Sequence, residues 1–247
     1  MARYRAPVNG YGRNDGETVG EYILWTDARR EPQKTRADKR ALNIPFETAS
    51  VIRQPAEYKD RANYEGFYWM AATDGHVWYE SFEEMTSLKL LDHHGTIRAI
   101  STQPMQIYFD DGSDHTPDFF AVHTDGSRTV YDSKHSSRIK GKVATSFENT
   151  RRVCKRIGWD YQVITELTRV QRHNLDWIGY NRHPRYAPTA ERRERILAAA
   201  QAPTALGELL LADHRPHEIY HLMWKRELLF DATAQLTLNT ILERTHP

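Results

Sequence analysis

Two acidic residues and one lysine stand at a spacing that could support metal-dependent hydrolysis of a phosphodiester. Asp118 follows Pro117, and the string Asp132-Ser133-Lys134 comes a short turn later. Two carboxylates can hold a divalent cation, and a neighbouring ammonium can polarise an attacking water or the scissile phosphate. Oxygen ligands of this kind suit Mg²⁺, for which Mn²⁺ is expected to substitute. Asp118, Asp132 and Lys134 are therefore candidate catalytic residues. Asp118, Asp132 and the Ser133 carbonyl are candidate metal ligands.

The turn between the two strands decides whether the carboxylates share a face of the sheet. Residues two apart on a strand point the same way, so Asp132 and Lys134 lie together. A three-residue loop over 124–126, with its glycine left-handed, places position 118 opposite 132. A two-residue loop would instead pair 118 with 133 and separate the carboxylates. The catalytic interpretation therefore predicts the three-residue turn.

A helix that begins near Ser81 could supply a fourth acidic residue. Ser81 and Glu84 form a capping-box pattern, with Ser81 as N-cap, and the helix is expected to run to about His93. Glu84 shares a line with Leu88 and Leu91, so it should face inward near the site as a catalytic residue and metal ligand. The alternative is that Glu84 only caps the helix.

Other polar residues receive smaller roles. Gln103, which precedes a proline at the end of a candidate strand, is a candidate supporting residue. His93, His94 and His115 lack the spaced partners of metal ligands, so we expect them at the surface or in ordinary hydrogen bonds.

Basic residues are concentrated just after the candidate site. Between Lys134 and Arg156 the only acidic residue is Glu148. Such a block could track a DNA backbone, although a solvated helix face is an equally good interpretation. The candidate backbone contacts are Arg138, Lys140, Lys142, Arg151 and Arg152.

The order of elements predicts an α/β fold with a mixed sheet flanked by helices. Residues 1–60 are expected to be an arm or irregular lead-in, and 61–180 the main domain. Residues 181–247 read as a linker followed by three helices and a β-hairpin, which suggests a mostly helical winged-helix-like domain. The predicted extended segments are 96–102, 106–109, 118–123, 128–134 and 160–165, with a helix over 143–157 before the last of them.

Composition narrows the class of protein. The chain has 247 residues, a net charge of +1 and a single cysteine. One cysteine cannot form an internal disulfide and fits a reducing cytoplasm. No apolar run approaches the roughly 20 residues of a membrane span, so no membrane partner is expected.

These motifs together resemble the TnsA-like endonuclease subunits of heteromeric transposases. The likeness covers about residues 64–180 and weakens towards the end of the chain. The segments that carry it are 79–84, 90–92, 101–104, 115–119, 130–134, 158–166 and 174–177.

The resemblance implies a restriction-endonuclease-like core and a Mg²⁺-dependent nuclease that nicks the 5′ ends of a transposon. It carries the family's catalytic positions onto Glu84, Asp118, Asp132 and Lys134. The implied partners are double-stranded DNA at transposon ends, a DDE-type transposase subunit that cuts the 3′ ends, and an ATPase regulator. A C-terminal winged-helix domain would contact partner proteins and DNA. A bacterial, cytoplasmic, DNA-associated protein is expected.

This sequence departs from the family pattern at two positions. Asp132 stands where Glu is common, and Ser133 replaces a large apolar residue. Two other readings stay open: a stand-alone phage or defence nuclease of the same fold, and a non-catalytic DNA-binding assembly subunit that uses the fold as a scaffold.

Overall fold

The computed structural model describes residues 20–52, 64–212 and 215–245 and shows a mixed α/β fold. The described residues form several sheets and six α-helices. They divide into two compact units, each drawn from two stretches of chain. The first unit comprises the chain up to Tyr64 together with Ala99–Ile164. The second unit comprises Glu65–Arg98 and the chain from Thr165 onward.

The secondary-structure elements are short and numbered in chain order. The strands are β1 (Tyr22–Thr26), β2 (Pro32–Arg36), β3 (Gly66–Met70), β4 (Gly75–Tyr79), β5 (Ile97–Thr102), β6 (Met105–Tyr108), β7 (Asp114–His115), β8 (Phe119–His123), β9 (Arg128–Ser133), β10 (Asp160–Ile164), β11 (Thr204–Ala205), β12 (Leu228–Leu229) and β13 (Ile241–Arg244). The α-helices are α1 (Phe82–His94), α2 (Lys142–Ile157), α3 (Arg169–Gly179), α4 (Ala190–Ala199), α5 (Leu206–Leu211) and α6 (Pro216–Trp224).

Two four-stranded sheets build the first unit. One has the order β2-β1-β6-β7 with antiparallel pairs, and the other has the order β10-β9-β8-β5. In the second sheet, β8 and β9 are antiparallel, whereas β9 and β10 are parallel. A parallel pair needs a crossover connection, which α2 supplies. Side chains from both sheets and from α2 meet in one core, which includes Ile23, Ile107, Phe120, Val130, Val153, Cys154 and Trp159.

The expectation of an arm over residues 1–60 is wrong for the part that the structure describes. Ile23 and Phe46 are fully buried in the core of the first unit. The polar segment 27–40, whose composition is typical of an irregular arm, contains the edge strand β2, and Lys34 and Arg36 of this strand are exposed. Charged residues and proline are common on edge strands because they discourage pairing with another chain. Residues 1–19 and 53–63 lie outside the described residues.

A buried carboxylate ties the start of β1 to α2. The side chain of Glu21 is 0% exposed and accepts hydrogen bonds from Arg152 Nη1 at 3.0 Å and Nη2 at 2.6 Å. Arg156 Nη2 lies 2.6 Å from the same carboxylate. Burial acts to raise the pKa of Glu21, but the hydrogen bonds and charges of the two arginines outweigh it and lower that pKa below the usual value.

The second unit combines the β3–β4 hairpin and α1 with the C-terminal helices and strands. The helix predicted from Ser81 is confirmed: Ser81 caps α1, and Gly95, at a φ of 70°, ends it. Lys89 of α1 lies 2.6 Å from Asp176 of α3, and His93 Nδ1 lies 3.0 Å from the Trp224 carbonyl. Because of these contacts, the units divide the chain at places other than the expected 61–180 and 181–247.

The C-terminal part of the second unit has a small antiparallel sheet. Its order is β11-β13-β12, with β13 in the middle. The helices pack around a core that includes Leu175, Ile196, Leu209, Leu222 and Trp224. None of the helices in the described ranges is both long and apolar enough to cross a membrane.

We predict that Glu21→Gln lowers the free energy of unfolding at pH 7 by about 1–3 kcal/mol, because charged hydrogen bonds to a buried carboxylate are lost. The pKa of folded Glu21 lies below its unperturbed value of 4.5. Its stabilisation is therefore complete above that pH and is lost as the pH falls through the folded-state pKa. Urea unfolding at several pH values should show the difference between variant and wild type shrinking in acid.

Glu148→Gln is the control for this measurement. Glu148 pairs with Arg151 at 2.6 Å, but these side chains are 71% and 50% exposed. An exposed pair contributes little, so this variant should stay within about 0.5 kcal/mol of wild type. Equal losses in the two variants would contradict the role given to Glu21.

Candidate active site

The hairpin of β8 and β9 has the register that brings the two candidate carboxylates together. Phe119 pairs with Tyr131, so Asp118 lies one step further along, opposite Asp132. The intervening turn is the predicted three-residue loop. The Gly126 N–H donates to the His123 carbonyl at 3.0 Å, and Gly126 has a φ of 85°. The prediction of the turn and of its left-handed glycine is confirmed.

The β6–β7 hairpin uses the same turn chemistry. It contains Asp111-Gly112-Ser113, which matches Asp125-Gly126-Ser127 of the β8–β9 turn. In each turn the aspartate Oδ1 accepts hydrogen bonds from both the backbone N–H and the hydroxyl of the serine. Gly112 has a φ of 80°, close to that of Gly126. The two turns thus fix two hairpins of the first unit, one of which carries His115.

Backbone hydrogen bonds link the candidate carboxylates. The Asp118 N–H donates to Asp132 Oδ1 at 3.3 Å, and the Ser133 N–H donates to Asp118 Oδ2 at 2.7 Å. Asp132 is 2% exposed, whereas Asp118 is half-buried. The two carboxylates are therefore neighbours, with Asp118 the more accessible of the two.

Two side chains donate to the other oxygen of Asp132. His115 Nε2 lies 2.8 Å from Asp132 Oδ2, and the Tyr161 hydroxyl donates to the same oxygen at 2.5 Å. Tyr161 can reach it because Val163 pairs with Asp132 in the parallel ladder, and Tyr161 points to the same face two residues earlier. Burial, together with the charge of Asp132, raises the pKa of Tyr161 far above its usual value, so its hydroxyl stays protonated.

The candidate catalytic residues of the first unit line one cleft. It has a volume of about 660 Å³, and Asp118, Asp132 and Lys134 all face it. Lys134 follows β9 directly, and its backbone N–H donates to the Ile164 carbonyl at 3.0 Å. The rest of the wall includes His115 and residues from the start of α2, among them Val143, Ser146 and Phe147.

Gln103 lies beside the backbone of Asp118. Its N–H donates to the Asp118 carbonyl at 2.9 Å, and its own carbonyl accepts from the Ile52 N–H at 2.9 Å. Gln103 is 2% exposed and has a φ of 44°, a left-handed conformation that is costly for a residue with a side chain. These contacts place Gln103 next to Asp118, and its supporting role stays a prediction.

Glu84 belongs to the second unit and is held at the start of α1. Its carboxylate accepts from the Ser81 hydroxyl at 2.8 Å and from the Glu80 N–H at 2.9 Å, and the Glu84 N–H donates to Ser81 Oγ. Like Leu88 and Leu91, it is buried, and its expected position near the candidate site stays a prediction. The capping role is present, and the catalytic role stays a prediction.

The candidate DNA-contacting cations differ in their surroundings. Arg138, Lys140 and Lys142 are exposed in the segment between β9 and α2. Arg151 pairs with Glu148 and lies with its guanidinium 5.3 Å from the centre of the Tyr161 ring. Arg152 forms the two hydrogen bonds to buried Glu21, so it has a structural role besides the one expected.

Sequence reasoning missed the part that His115 and Tyr161 play. His115 was expected to be an ordinary surface or hydrogen-bonded histidine, and Tyr161 was given no role. The sequence gives only a weak indication of these contacts with Asp132. His115 stands three residues before Asp118, and Tyr161 lies in the strand predicted to follow the helix over 143–157. Only the pairing of β10 with β9 brings the hydroxyl to Asp132.

Two carboxylates alone would not complete a cation site. Within residues 20–52, 64–212 and 215–245, no three His, Cys, Asp or Glu side chains form a group that could hold a metal ion. A cation between Asp118 and Asp132 would therefore need backbone oxygens or water as further ligands, which Mg²⁺ commonly uses. The hard oxygen donors of the pair fit such an ion.

The chain matches neither a protein-family model nor a curated protein. The chemistry of the cleft is therefore the basis on which a function can be assigned.

We predict that Gly126→Ala and Gly112→Ala each lower the free energy of unfolding by about 1–2 kcal/mol, the cost of a left-handed residue with a Cβ. A Cβ at either position would meet no atom within 4 Å, so the cost comes from the backbone alone. Gly75→Ala serves as the control, because its φ is not positive and its nearest neighbour would be 3.6 Å away. Chemical unfolding measures all three variants. Losses no larger at 112 and 126 than at 75 would contradict the turn assignment.

Proposed function

We propose that this protein is a Mg²⁺-dependent DNA endonuclease of the TnsA-like type, which nicks the 5′ ends of a transposon. The observation that carries the proposal is that Asp118, Asp132 and Lys134 line the same cleft. Two neighbouring carboxylates and one ammonium are the groups that metal-assisted phosphodiester hydrolysis requires.

The order of the elements supports a restriction-endonuclease-like core. Along the chain, α1 is followed by β5, β8 and β9, then by α2 and β10. These strands are neighbours in the order β5-β8-β9-β10, with the last pair parallel. The β6–β7 hairpin is inserted between β5 and β8 and pairs with β1 instead.

Each residue of the cleft has a definite task in this proposal. Asp118 and Asp132 would hold the cation with their oxygens. A bound Mg²⁺ ion would lower the pKa of a water molecule and offset charge on the phosphate. Lys134 would orient or help deprotonate the attacking water and stabilise negative charge on the phosphate. Glu84 enters the proposal through the resemblance to the family.

Exposed cations beside the cleft would bind the DNA backbone. Arg138, Lys140 and Lys142 follow Lys134 within eight residues and are all exposed. Contacts with phosphates give affinity without sequence choice and weaken with salt. Selection of the transposon ends would therefore come from a partner protein, such as the DDE-type transposase or the ATPase regulator.

The C-terminal elements support a winged-helix-like arrangement. Their order is α4, β11, α5, α6, β12 and β13, with β13 between the other two strands. In helix-turn-helix proteins the second helix of the pair enters the major groove. Here the corresponding helix, α6, buries Glu218, Ile219 and the run 221–224. This burial leaves α6 few exposed side chains with which to read a groove.

The two alternative readings can be weighed against the same contacts. A non-catalytic assembly subunit would need no alignment of the carboxylates, yet Asp118 and Asp132 share one face, and the Asp118 backbone N–H donates to the Asp132 carboxylate. A stand-alone phage or defence nuclease would have the same cleft, and its substrate would distinguish it.

Asp118→Ala and Lys134→Ala should each reduce the rate of metal-dependent DNA nicking by about 10²–10⁴-fold, because Asp118 would hold the cation and Lys134 would act on the attacking water. Nicking of supercoiled plasmid in Mg²⁺ or Mn²⁺ measures this rate. Asp110→Asn and Lys225→Ala remove an exposed carboxylate and an exposed ammonium elsewhere, and should retain the wild-type rate. Full metal-dependent cleavage by folded Asp118→Ala and Lys134→Ala would overturn the proposal.

A further inference from the structure

The two oxygens of the Asp132 carboxylate have different surroundings. A carboxylate oxygen can accept about two hydrogen bonds, and Oδ2 accepts two: one from His115 at 2.8 Å and one from Tyr161 at 2.5 Å. Oδ1 accepts from the Asp118 backbone N–H at 3.3 Å, which is long for a bond of this type. Oδ1 is therefore the oxygen better able to accept a cation.

The two donors to Oδ2 come from different sheets. His115 is the last residue of β7, and Tyr161 lies on β10. The Phe147 ring of α2 packs edge-on against both, with ring centroids 5.7 Å from His115 and 6.3 Å from Tyr161. Both donor rings are thus held by packing as well as by their hydrogen bonds.

Burial of Asp132 explains why the carboxylate has donors, but not why both side-chain donors meet on one oxygen. A buried carboxylate at 2% exposure needs hydrogen bonds wherever it can obtain them. Concentrating two donors on Oδ2 fixes the rotation of the carboxylate and turns Oδ1 towards the Asp118 side of the cleft. In metal sites, donors of this kind orient the ligand, and their loss typically weakens metal binding about 10–100-fold.

We propose that His115 and Tyr161 are positioning residues that hold Asp132 for binding a divalent cation through Oδ1 alone. The proposal rests on the proposed function, because it assumes that Asp118 and Asp132 bind such a cation. It adds two residues that act through Asp132 and do not touch the reacting atoms.

The test is calorimetric titration of the full chain with Mn²⁺ in the presence of a DNA duplex. Tyr161→Phe keeps the ring and removes one donor, so we expect about tenfold weaker Mn²⁺ binding. His115→Leu should weaken binding by about 10–100-fold. His115→Gln should restore most of the affinity, since its amide N–H can occupy the place of Nε2.

Tyr131→Phe is the matched control. Tyr131 lies on β9 next to Asp132 but points to the opposite face, where its hydroxyl lies 3.2 Å from His123 Nε2. This variant should bind Mn²⁺ as wild type does, and near-ultraviolet circular dichroism should show all variants folded.

The outcomes separate this proposal from the proposed function. If wild type binds Mn²⁺, Asp118→Ala does not, and Tyr161→Phe and His115→Leu match wild type, the positioning role is overturned and the metal site stands. The same holds if His115→Gln binds as weakly as His115→Leu. Absence of any Mn²⁺ binding that depends on Asp118 would overturn both.

Discussion

The pairing of β8 with β9 at one register is the constraint on which the candidate site depends. A slip by one residue would move every side chain of a strand to the other face and would separate Asp118 from Asp132. The register is fixed by a three-residue turn whose Gly126 has a φ of 85° and whose Asp125 accepts two hydrogen bonds from Ser127. A short local sequence therefore decides whether two distant carboxylates meet.

The same sheet face serves both stability and the site. Phe120 and Val130 lie opposite each other on β8 and β9 and are fully buried in the core. Asp118 precedes Phe120 by two residues, and Asp132 follows Val130 by two, so this pair lies next on the same face. The buried core of the first unit and the candidate cleft are therefore neighbours on one face of this sheet. Because α2 supplies the crossover to β10 as well as part of the cleft wall, loss of its packing would affect the crossover, the Tyr161 donor and the cleft together.

The sequence predicted those parts of the fold that depend on local signals. The capped helix from Ser81, the helix before Gly158 and the β8–β9 turn are each marked by glycine, serine or aspartate. The strands predicted over 96–102, 118–123, 128–134 and 160–165 belong to one sheet, whereas the strand predicted over 106–109 is β6 and pairs with β1. The arm expected over residues 1–60 was wrong for 20–52, because a polar edge strand resembles a loop in composition. Tyr161 was missed because its contact with Asp132 depends on strand pairing across a long crossover. The role of Glu84 in catalysis stays a prediction, because Glu84 lies on α1 of the second unit and the cleft residues belong to the first unit.

The most direct measurement is the anomalous diffraction of crystals soaked in Mn²⁺. The account predicts a single strong anomalous peak in the cleft, within bonding distance of Asp118 and of Asp132 Oδ1, with Asp132 Oδ2 still bonded to His115 and Tyr161. A cleft without manganese, in crystals of the protein bound to a DNA duplex and soaked at saturating Mn²⁺, would contradict the account. Manganese bound to other residues in place of Asp118 and Asp132 would contradict it equally.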